Sequence, residues 1–248
     1  MKIIEKSNLE IKKIKMKADH ELHPNLMKPL DSLRSGFLMV VNGPSGSGKT
    51  NFLINVLNTN PDPITKQRRS LKGLFHNIYL VRPSLHTLKN NIFEDLDTTF
   101  EHFDEEFLDT YKEMCDKQKD DFEEGDEIML NLLILDDCSD DIRDKSVYKK
   151  FIKLINNRRH CNTSIIVLSQ NIIQLSPAIR KNMSHLVTFF PKSLAEEESI
   201  YAFSKQKKKD MIDFYKFIFD APHQFLLIDM TLKTGKFIFY KCFDKIEF

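Results

Sequence analysis

Residues 43–50 read GPSGSGKT and hold three of the chain's 7 glycines. Glycine permits backbone angles that are closed to other residues, so the N–H groups of such a loop can turn toward one anion. The stretch fits the pattern G-x-x-x-x-G-K-[ST], which binds nucleotide phosphates when it follows a strand and opens a helix. We therefore predict that the whole stretch contacts a nucleotide: Gly43, Pro44, Ser45, Gly46, Ser47, Gly48, Lys49 and Thr50.

The last two residues of this stretch have side chains suited to a magnesium–triphosphate complex. The ammonium group of Lys49 would neutralise the β- and γ-phosphates, and the Thr50 hydroxyl would ligate Mg²⁺. FLMVVNG at 37–43 predicts a buried strand before the loop, and TNFLINVLN after it predicts an amphipathic helix. This context favours binding of ATP and Mg²⁺ over a glycine-rich turn that binds nothing.

Two carboxylates follow directly on another apolar stretch, NLLILDD at 131–137. In an open α/β sheet, ligands bind at the carboxyl ends of the strands, which is where Asp136 and Asp137 would emerge. We predict that Asp136 holds the hydration shell of Mg²⁺ and that Asp137 orients and polarises the attacking water. An aspartate pair that only caps a loop or a helix is the alternative.

A third apolar strand, TSIIVLSQ at 163–170, ends in a glutamine. In P-loop ATPases that carry an extra acidic residue after the metal-binding aspartate, one strand is inserted between the glycine-loop strand and the carboxylate strand. If TSIIVLSQ is that strand, Gln170 lies between Lys49 and Asp137, and its amide can respond to the presence of a γ-phosphate. An ordinary amide at a strand end is the alternative.

Two arginines precede the Gln170 strand, within NNRRHCNT at 156–163. A strand of about eight residues is about 25 Å long, so Arg158 and Arg159 would lie too far from their own subunit's nucleotide to touch it. They could reach a neighbouring subunit's nucleotide, since an arginine supplied in trans stabilises charge in phosphoryl transfer. Such an interface is heterologous and can close into a ring. Arg180 in SPAIRKN is a further candidate, and a surface arginine without this role is an equal alternative for each of the three.

Strand-like and helix-like patterns alternate along most of the chain. This alternation predicts an α/β fold with a mostly parallel sheet flanked by helices, as in P-loop proteins of the RecA/ASCE type. Further predicted elements are strands at 76–81 and 185–190 and helical stretches at 84–121 and 193–219. The tail at about 224–242 predicts an antiparallel hairpin that turns at Thr234 and Gly235.

Charged residues indicate how the domain is bounded and what it contacts. We predict a basic N-terminal arm at 1–35, a single P-loop ATPase domain at 36–248 and an acidic helical insertion at about 84–127. The net charge of +1 gives the whole molecule no attraction to a polyanion. Local contacts remain open through three basic clusters: the lysines at 12, 13, 15 and 17; Lys66, Arg68, Arg69 and Lys72; and Lys205, Lys207, Lys208 and Lys209. For each cluster, the alternative to binding a polyanion is a charged surface that contacts only water.

Composition argues against membrane and secreted classes. No stretch of eighteen apolar residues occurs, so we expect no membrane span and no membrane partner. The N-terminal twenty residues are too often interrupted by charge to form a signal peptide. The 4 cysteines are widely scattered and have no metal-binding spacing, which favours reduced thiols in a cytosol-like compartment.

The motifs together resemble the FtsK/HerA superfamily of DNA-pumping ATPases, and most closely the genome-packaging ATPases of large eukaryotic DNA viruses and virophages. The resemblance covers roughly residues 37–190 and is carried by GPSGSGKT, LLILDD and RRHCNTSIIVLSQ followed by LSPAIRKN. It implies an oligomeric ring that hydrolyses ATP and drives double-stranded DNA into a preformed capsid. It also implies capsid or vertex proteins as partners and a place in the host cytoplasm or viral factory, or in the virion. The superfamily usually has glutamate where this chain has Asp137, which is one methylene shorter.

Three other functions remain open from the residues alone. A P-loop nucleotide kinase would share the sheet, but it has little use for paired aspartates followed by a strand that ends in glutamine. A GTP-dependent switch would be expected to carry an N-K-x-D stretch, and this sequence has none. A non-catalytic assembly protein could bind a nucleotide without hydrolysing it, and DNA-stimulated phosphate release would separate these classes.

Overall fold

A computed structural model of the chain describes residues 22–60, 63–68, 70–83, 98–121, 127–232 and 237–247. Its strands are β1 (Leu38–Asn42), β2 (Asn77–Val81), β3 (Thr99–Phe100), β4 (Asn131–Asp136), β5 (Thr163–Ser169), β6 (His185–Phe189), β7 (Phe225–Asp229), β8 (Ile238–Lys241) and β9 (Asp244–Ile246). Its α-helices are α1 (Lys49–Asn58), α2 (Glu105–Asp120), α3 (Lys145–Asn157), α4 (Pro177–Asn182), α5 (Leu194–Tyr201) and α6 (Met211–Ile218). Within these described ranges, no helix has both the length and the apolar composition to cross a membrane.

The strands form one sheet in the order β3-β2-β4-β5-β1-β6-β7-β8-β9. Strands β1 to β6 run parallel to one another, whereas β7, β8 and β9 each pair antiparallel with their neighbours. The predicted α/β fold with a mostly parallel sheet and a C-terminal antiparallel hairpin is therefore confirmed. The predicted hairpin turn at Thr234 and Gly235 lies outside the described residues. The last strand, β9, is an edge strand that the sequence did not predict.

Strand β5 lies between β1 and β4, so the predicted insertion of a strand between the glycine loop and the carboxylates is confirmed. The register pairs Asn42 with Ser169, and Leu168 with Asp136. Because the three strands are parallel, their carboxyl ends meet at one edge of the sheet. The segments that follow β1, β4 and β5 are therefore spatial neighbours.

Each central strand is buried on both faces, which explains its nearly unbroken apolar sequence. In β4, Leu133 and Leu135 point into a core that also contains residues of α2 to α6. Leu132 and Ile134, which alternate with them, point into a second core that contains residues of α1. The sheet is thus the middle layer of three, and the removal of apolar surface from water on both sides holds it in place.

The segment just before β1 belongs to the folded unit. Leu22, Leu26, Leu30 and Leu33 are all buried in the core that contains α1. The predicted boundary between arm and domain therefore falls within a packed region. The basic residues predicted for the arm, the lysines at 12, 13, 15 and 17, lie outside the described residues.

The region predicted as an acidic helical insertion differs in part from that expectation. Its described part contains a short strand, β3, and only then a helix, α2. The strand forms because Thr98 O accepts a hydrogen bond from Leu80 N at 3.0 Å, which extends the ladder of β2. The helix begins late because the Asp104 side chain accepts from Phe107 N at 2.8 Å and caps it. Residues 84–97 and 122–126 of the predicted insertion lie outside the described residues.

Helix α2 is part of the core on one side and part of an ion-pair cluster on the other. Tyr111 and Cys115 are buried against the sheet. On the acidic side, Lys150 of α3 lies 2.8 Å from Glu105 and 2.7 Å from Asp109. The acidic residues of this helix therefore serve in part to dock α3.

A buried polar cluster joins the N-terminal segment to the sheet at the edge opposite the carboxyl ends. His185, the first residue of β6, is only 1% exposed. Its Nε2 lies 3.0 Å from Ser32 Oγ and 3.6 Å from Asp229 Oδ1, and its Nδ1 lies 3.0 Å from Ser184 Oγ. Burial lowers the pKa of His185 to about 4, and the charge of Asp229 opposes this shift. The folded protein therefore holds a neutral imidazole here at pH 7.

We expect the protein to lose stability as the pH falls from about 6.5 toward about 4. In this window the unfolded chain protonates its His185 imidazole and the folded protein does not, so acid favours unfolding; above the window the stability is fully present. Thermal unfolding measured in steps across this pH range checks the expectation. His185→Gln should show a shallower dependence, and the exposed His160→Gln serves as the matched control. Equal slopes for the His185 variant and the wild type would contradict it.

Candidate nucleotide-binding site

The carboxyl edge of the central strands carries a cavity of about 450 Å³. Six polar or charged residues from four segments of the chain are among those that line it: Lys49, Thr50, Arg82, Asp136, Asp137 and Gln170. All except Arg82 are residues to which the sequence assigned a role. The strand order brings them together, because β5 separates β1 from β4 by only one strand.

Two glycines of the loop are required by its geometry. At Gly43 a Cβ would lie 2.8 Å from Phe189 Cβ, so a side chain has no room there. Gly48 has a φ of +113°, a left-handed backbone that residues with side chains rarely adopt, and it is the N-cap of α1. The loop thus folds tightly over the start of a ten-residue helix, where backbone N–H groups and the helix dipole favour an anion.

The Lys49 side chain lies along this loop. Its Nζ donates to the carbonyl oxygens of Gly43 at 2.6 Å and Pro44 at 3.0 Å. Burial lowers the pKa of Lys49, while the charges of Asp136 and Asp137 act in the opposite direction. The ammonium group is therefore held by neutral acceptors in a partly desolvated cavity. Phosphate oxygens would be stronger partners for it, so this arrangement fits a bound triphosphate.

Asp136 is the last residue of β4 and is only 7% exposed. Burial raises the pKa of this carboxyl, the charges of Arg82 and Lys49 oppose the shift, and the charge of Asp137 adds to it. The Nε of Arg82 lies 3.4 Å from Asp136 Oδ2. Arg82 was not among the residues predicted for the site, although its place at the carboxyl end of a predicted strand was a usable signal.

Asp137 and Gln170 are in direct contact. The Nε2 of Gln170 donates to Asp137 Oδ1 at 2.8 Å, which joins the segments after β4 and β5. Asp137 has a φ of +62°, in the left-handed region that aspartate tolerates better than most residues. This turn directs the chain away from the strand directly after Asp136. Through this hydrogen bond, a movement of either side chain displaces the other.

The oxygen donors in the cavity fit Mg²⁺. Thr50 supplies a hydroxyl and Asp136 a carboxylate, and both line the same space as Lys49. Magnesium prefers oxygen ligands and is usually held by one or two protein groups together with phosphates and water. Bound there with a triphosphate, the ion would neutralise part of the charge of the phosphates. The residues of the chain would hold and orient this complex.

The three arginines predicted to act in trans lie outside this cavity. Arg158 follows α3 and is only 8% exposed. Its guanidinium donates to the carbonyl oxygens of Gly36 at 2.7 Å, Ile155 at 2.6 Å and Asn182 at 3.1 Å. These contacts bind together three segments of its own subunit, and burial lowers the pKa of Arg158 to about 10.

The other two arginines are placed differently from Arg158. Arg159 is exposed, and its Cα and Cγ lie against Gly36, just before β1. Arg180 lies on α4 and is half-buried, with its Nε buried and without a hydrogen-bond partner. Both residues belong to the connections that lead to the amino ends of β5 and β6.

A second residue that the sequence analysis missed contacts the glycine loop. The Nδ1 of His223 lies 3.0 Å from the carbonyl oxygen of Ser47, so the segment between α6 and β7 is fastened to the loop. On this side of the loop lies a cavity of about 620 Å³, lined in part by Gly48, Asn51, His223 and Phe243. No local pattern in the sequence links these residues.

Comparison with protein families gives a match over most of the chain. Residues 29–246 match the model of the family described as Poxvirus A32 protein. A comparison with curated protein sequences found no match.

Solved structures share the fold. One is B204, the DNA-packaging ATPase from Sulfolobus turreted icosahedral virus, with a TM-score of 0.52, 14% identity, and coverage of 83% of this chain and 97% of B204. A second is the genome packaging NTPase B204 from Sulfolobus turreted icosahedral virus 2 with sulfate, with a TM-score of 0.55, 15% identity, and coverage of 87% and 100%. The same NTPase with AMPPCP gives a TM-score of 0.51, 14% identity, and coverage of 84% and 98%. At these identities the likeness concerns the fold.

Lys49→Ala should weaken ATP binding about tenfold to a hundredfold, because a hydrogen bond to a charged group contributes about 1.5–3 kcal/mol. Isothermal titration with ATP and Mg²⁺ measures the change. Lys150→Ala is the matched control, since Lys150 pairs with Glu105 and Asp109 and does not line the cavity. An affinity of the Lys49 variant within about twofold of wild type would remove Lys49 from the site.

Proposed function

Because the chain belongs to the Poxvirus A32 protein family, we propose that it is a viral genome-packaging ATPase that uses ATP and Mg²⁺ to move double-stranded DNA into a preformed capsid. The observation that carries the proposal is the convergence of Lys49, Asp136, Asp137 and Gln170 on one cavity. The fold shared with a protein described as a DNA-packaging ATPase supports the same function. The resemblance that the sequence motifs indicated agrees with the family.

In this proposal, the residues of the cavity have separate roles in hydrolysis. Lys49 and the loop hold the triphosphate, and Thr50 and Asp136 hold the metal. Asp137 orients and polarises the attacking water, because its carboxylate is exposed to the cavity and fixed by the Gln170 amide. Gln170 reports the γ-phosphate through the same hydrogen bond. Positioning and charge stabilisation of this kind account for most of the catalysis of phosphoryl transfer.

The proposed enzyme acts as a ring of identical subunits. A cation from the amino edge of the sheet cannot reach the cavity of its own subunit, since β5 separates the two edges. We assign the action in trans to Arg159 or Arg180 in preference to Arg158, whose guanidinium is held by three backbone carbonyls. Either residue would approach the nucleotide of the next subunit through a heterologous interface.

DNA contacts in this proposal are made to phosphates and are independent of base sequence. All four lysines of one basic cluster are exposed: Lys205, Lys207, Lys208 and Lys209. Within it, Lys208 Nζ forms an ion pair with Glu198 Oε1 at 2.6 Å. The basic cluster at 66–72 is also at the surface. In it, Lys66 and Lys72 are exposed, and Arg69 lies outside the described residues. Either cluster can line a DNA channel. Capsid or vertex proteins complete the proposed set of partners, and the viral factory in the host cytoplasm is the proposed place of action.

Phosphate release with and without double-stranded DNA, measured over a range of protein concentrations, tests the function. We expect DNA to stimulate turnover, and turnover per subunit to rise with concentration as rings form. A nucleotide kinase would ignore DNA and require a nucleotide acceptor. ATP binding without hydrolysis under every condition would favour the non-catalytic assembly protein and overturn the proposal.

Asp137→Asn should keep ATP affinity within about threefold of wild type and lower turnover by about a hundredfold or more, as expected for loss of a catalytic base. The two quantities are measured by titration and by phosphate release. Asp116→Asn, on the exposed side of α2, is the control with the same chemical change. Normal turnover of the Asp137 variant would take the catalytic role away from this carboxylate.

Mixed rings test the action in trans. Lys49→Ala subunits have an impaired nucleotide site but keep their arginines, whereas Arg159→Ala or Arg180→Ala subunits keep an intact nucleotide site. Mixing the two kinds should restore part of the DNA-stimulated turnover, because some interfaces join an intact site to an intact arginine. If neither arginine variant gains activity on mixing, the assignment in trans is wrong.

A further inference from the structure

Arg82 is placed at the cavity by the backbone of the sheet. In the parallel register of β2 and β4, Val81 is paired with Leu135, so the next residues along are Arg82 and Asp136. The backbone N–H of Arg82 donates to Phe100 O at 2.8 Å, which ties the residue to β3 on its other side. The backbone of Arg82 is therefore held by β3 on one side and lies next to the end of β4 on the other.

The side chain of Arg82 points into the cavity. Its Nε lies 3.4 Å from Asp136 Oδ2, and the two side chains are only 15% and 10% exposed. The same cavity is lined by Lys49 and Asp137. Among the described residues, the cavity thus holds two cationic and two anionic side chains, and Arg82 neutralises the carboxylate that β4 buries.

This pairing conflicts with the proposed use of Asp136. A divalent ion that takes this carboxylate brings two positive charges to the position beside the guanidinium. Repulsion at this distance inside a partly desolvated cavity is large. The guanidinium must then turn to another anion, and the terminal phosphate of the entering nucleotide is the one that arrives in the same cavity at the same moment. The planar guanidinium also matches the geometry of phosphate oxygens.

We propose that Arg82 is a γ-phosphate ligand supplied by the same subunit and held in reserve by Asp136 until the metal enters. The inference rests on the proposed function, since it needs a magnesium–triphosphate complex in the cavity. Lys49 contacts the β- and γ-phosphates together, whereas Arg82 contacts the γ-phosphate alone. Arg82 would therefore distinguish ATP from ADP.

The test compares the affinities for ATP and ADP, both with Mg²⁺, in the full chain. In Arg82→Gln the preference for ATP over ADP should fall by about tenfold or more, because only ATP loses a charge-assisted contact. Arg82→Lys, which keeps the positive charge, should restore part of the preference. Arg34→Gln is the matched control, since Arg34 is an exposed arginine that precedes β1 at the opposite edge of the sheet. It should leave the preference unchanged.

A purely structural role for Arg82 would weaken ATP and ADP equally and leave their ratio at the wild-type value. That result overturns the inference. If Arg82→Gln does not fold, Arg82→Met carries the same test, because methionine keeps the buried stem and removes the charge. An unchanged ratio in Arg82→Met has the same consequence.

The outcome also separates this inference from the proposed function. If wild type binds both nucleotides and Lys49→Ala weakens both, the nucleotide site stands whatever Arg82 does. An unchanged ratio for the Arg82 variants then refutes only the γ-phosphate role. If wild type binds neither nucleotide, the proposed function fails first and the inference fails with it.

Discussion

The parallel alignment of β1, β5 and β4 is the constraint on which the site depends. It sets three carboxyl ends side by side: Asp136 ends β4 and Asp137 follows it, Gln170 follows β5, and the glycine loop with Lys49 follows β1. A register shift of one residue would turn each strand's side chains to the opposite face. Since both faces are packed into cores, such a shift would disrupt the whole interior. Apolar packing far from the nucleotide therefore determines where the charged groups stand.

Charge balance then explains why the cavity suits a metal–triphosphate complex. Burial acts against the ionised forms of two of its groups, raising the pKa of Asp136 and lowering that of Lys49. The positive charges of Lys49 and Arg82 attract the negative charge of Asp136. This attraction offsets part of the free energy that is lost when these charges are buried. A divalent ion and a triphosphate supply the same two signs of charge in a more concentrated form. The cavity is thus stable because its groups pair with one another, and it suits the complex because phosphates and a divalent ion are stronger partners for these groups.

Site residues that belong to a local sequence pattern can be predicted from the sequence. Site residues that distant segments bring to the cavity cannot. The glycine loop, the aspartate pair and the terminal glutamine each follow an apolar strand, so pattern and position could be read together. Arg82 and His223 carry no motif, and their role appears only when the strand order and the C-terminal strands are known. The late start of α2 shows a different limit, because the aromatic residues keep a helical spacing through Phe100 and Phe103. There the Asp104 cap and the pairing of β3 prevail over the periodicity.

In the proposed ring, the length of β5 separates the arginines at the amino edge of each subunit's sheet from that subunit's own nucleotide. Its seven residues, Thr163–Ser169, span about 23 Å at about 3.3 Å per residue, with Arg159 before the amino end and Gln170 after the carboxyl end. A cation beside the amino end of β5 would act on a triphosphate only when another subunit presents its carboxyl edge, with the nucleotide cavity, to that cation. Repeating that contact uses two different surfaces of each subunit, which is the condition for a closed ring. In the proposed ring, the arginine of the next subunit would approach the cavity that contains the hydrogen bond between Gln170 and Asp137, so the state of one nucleotide would alter how the next subunit is held and, through it, the DNA.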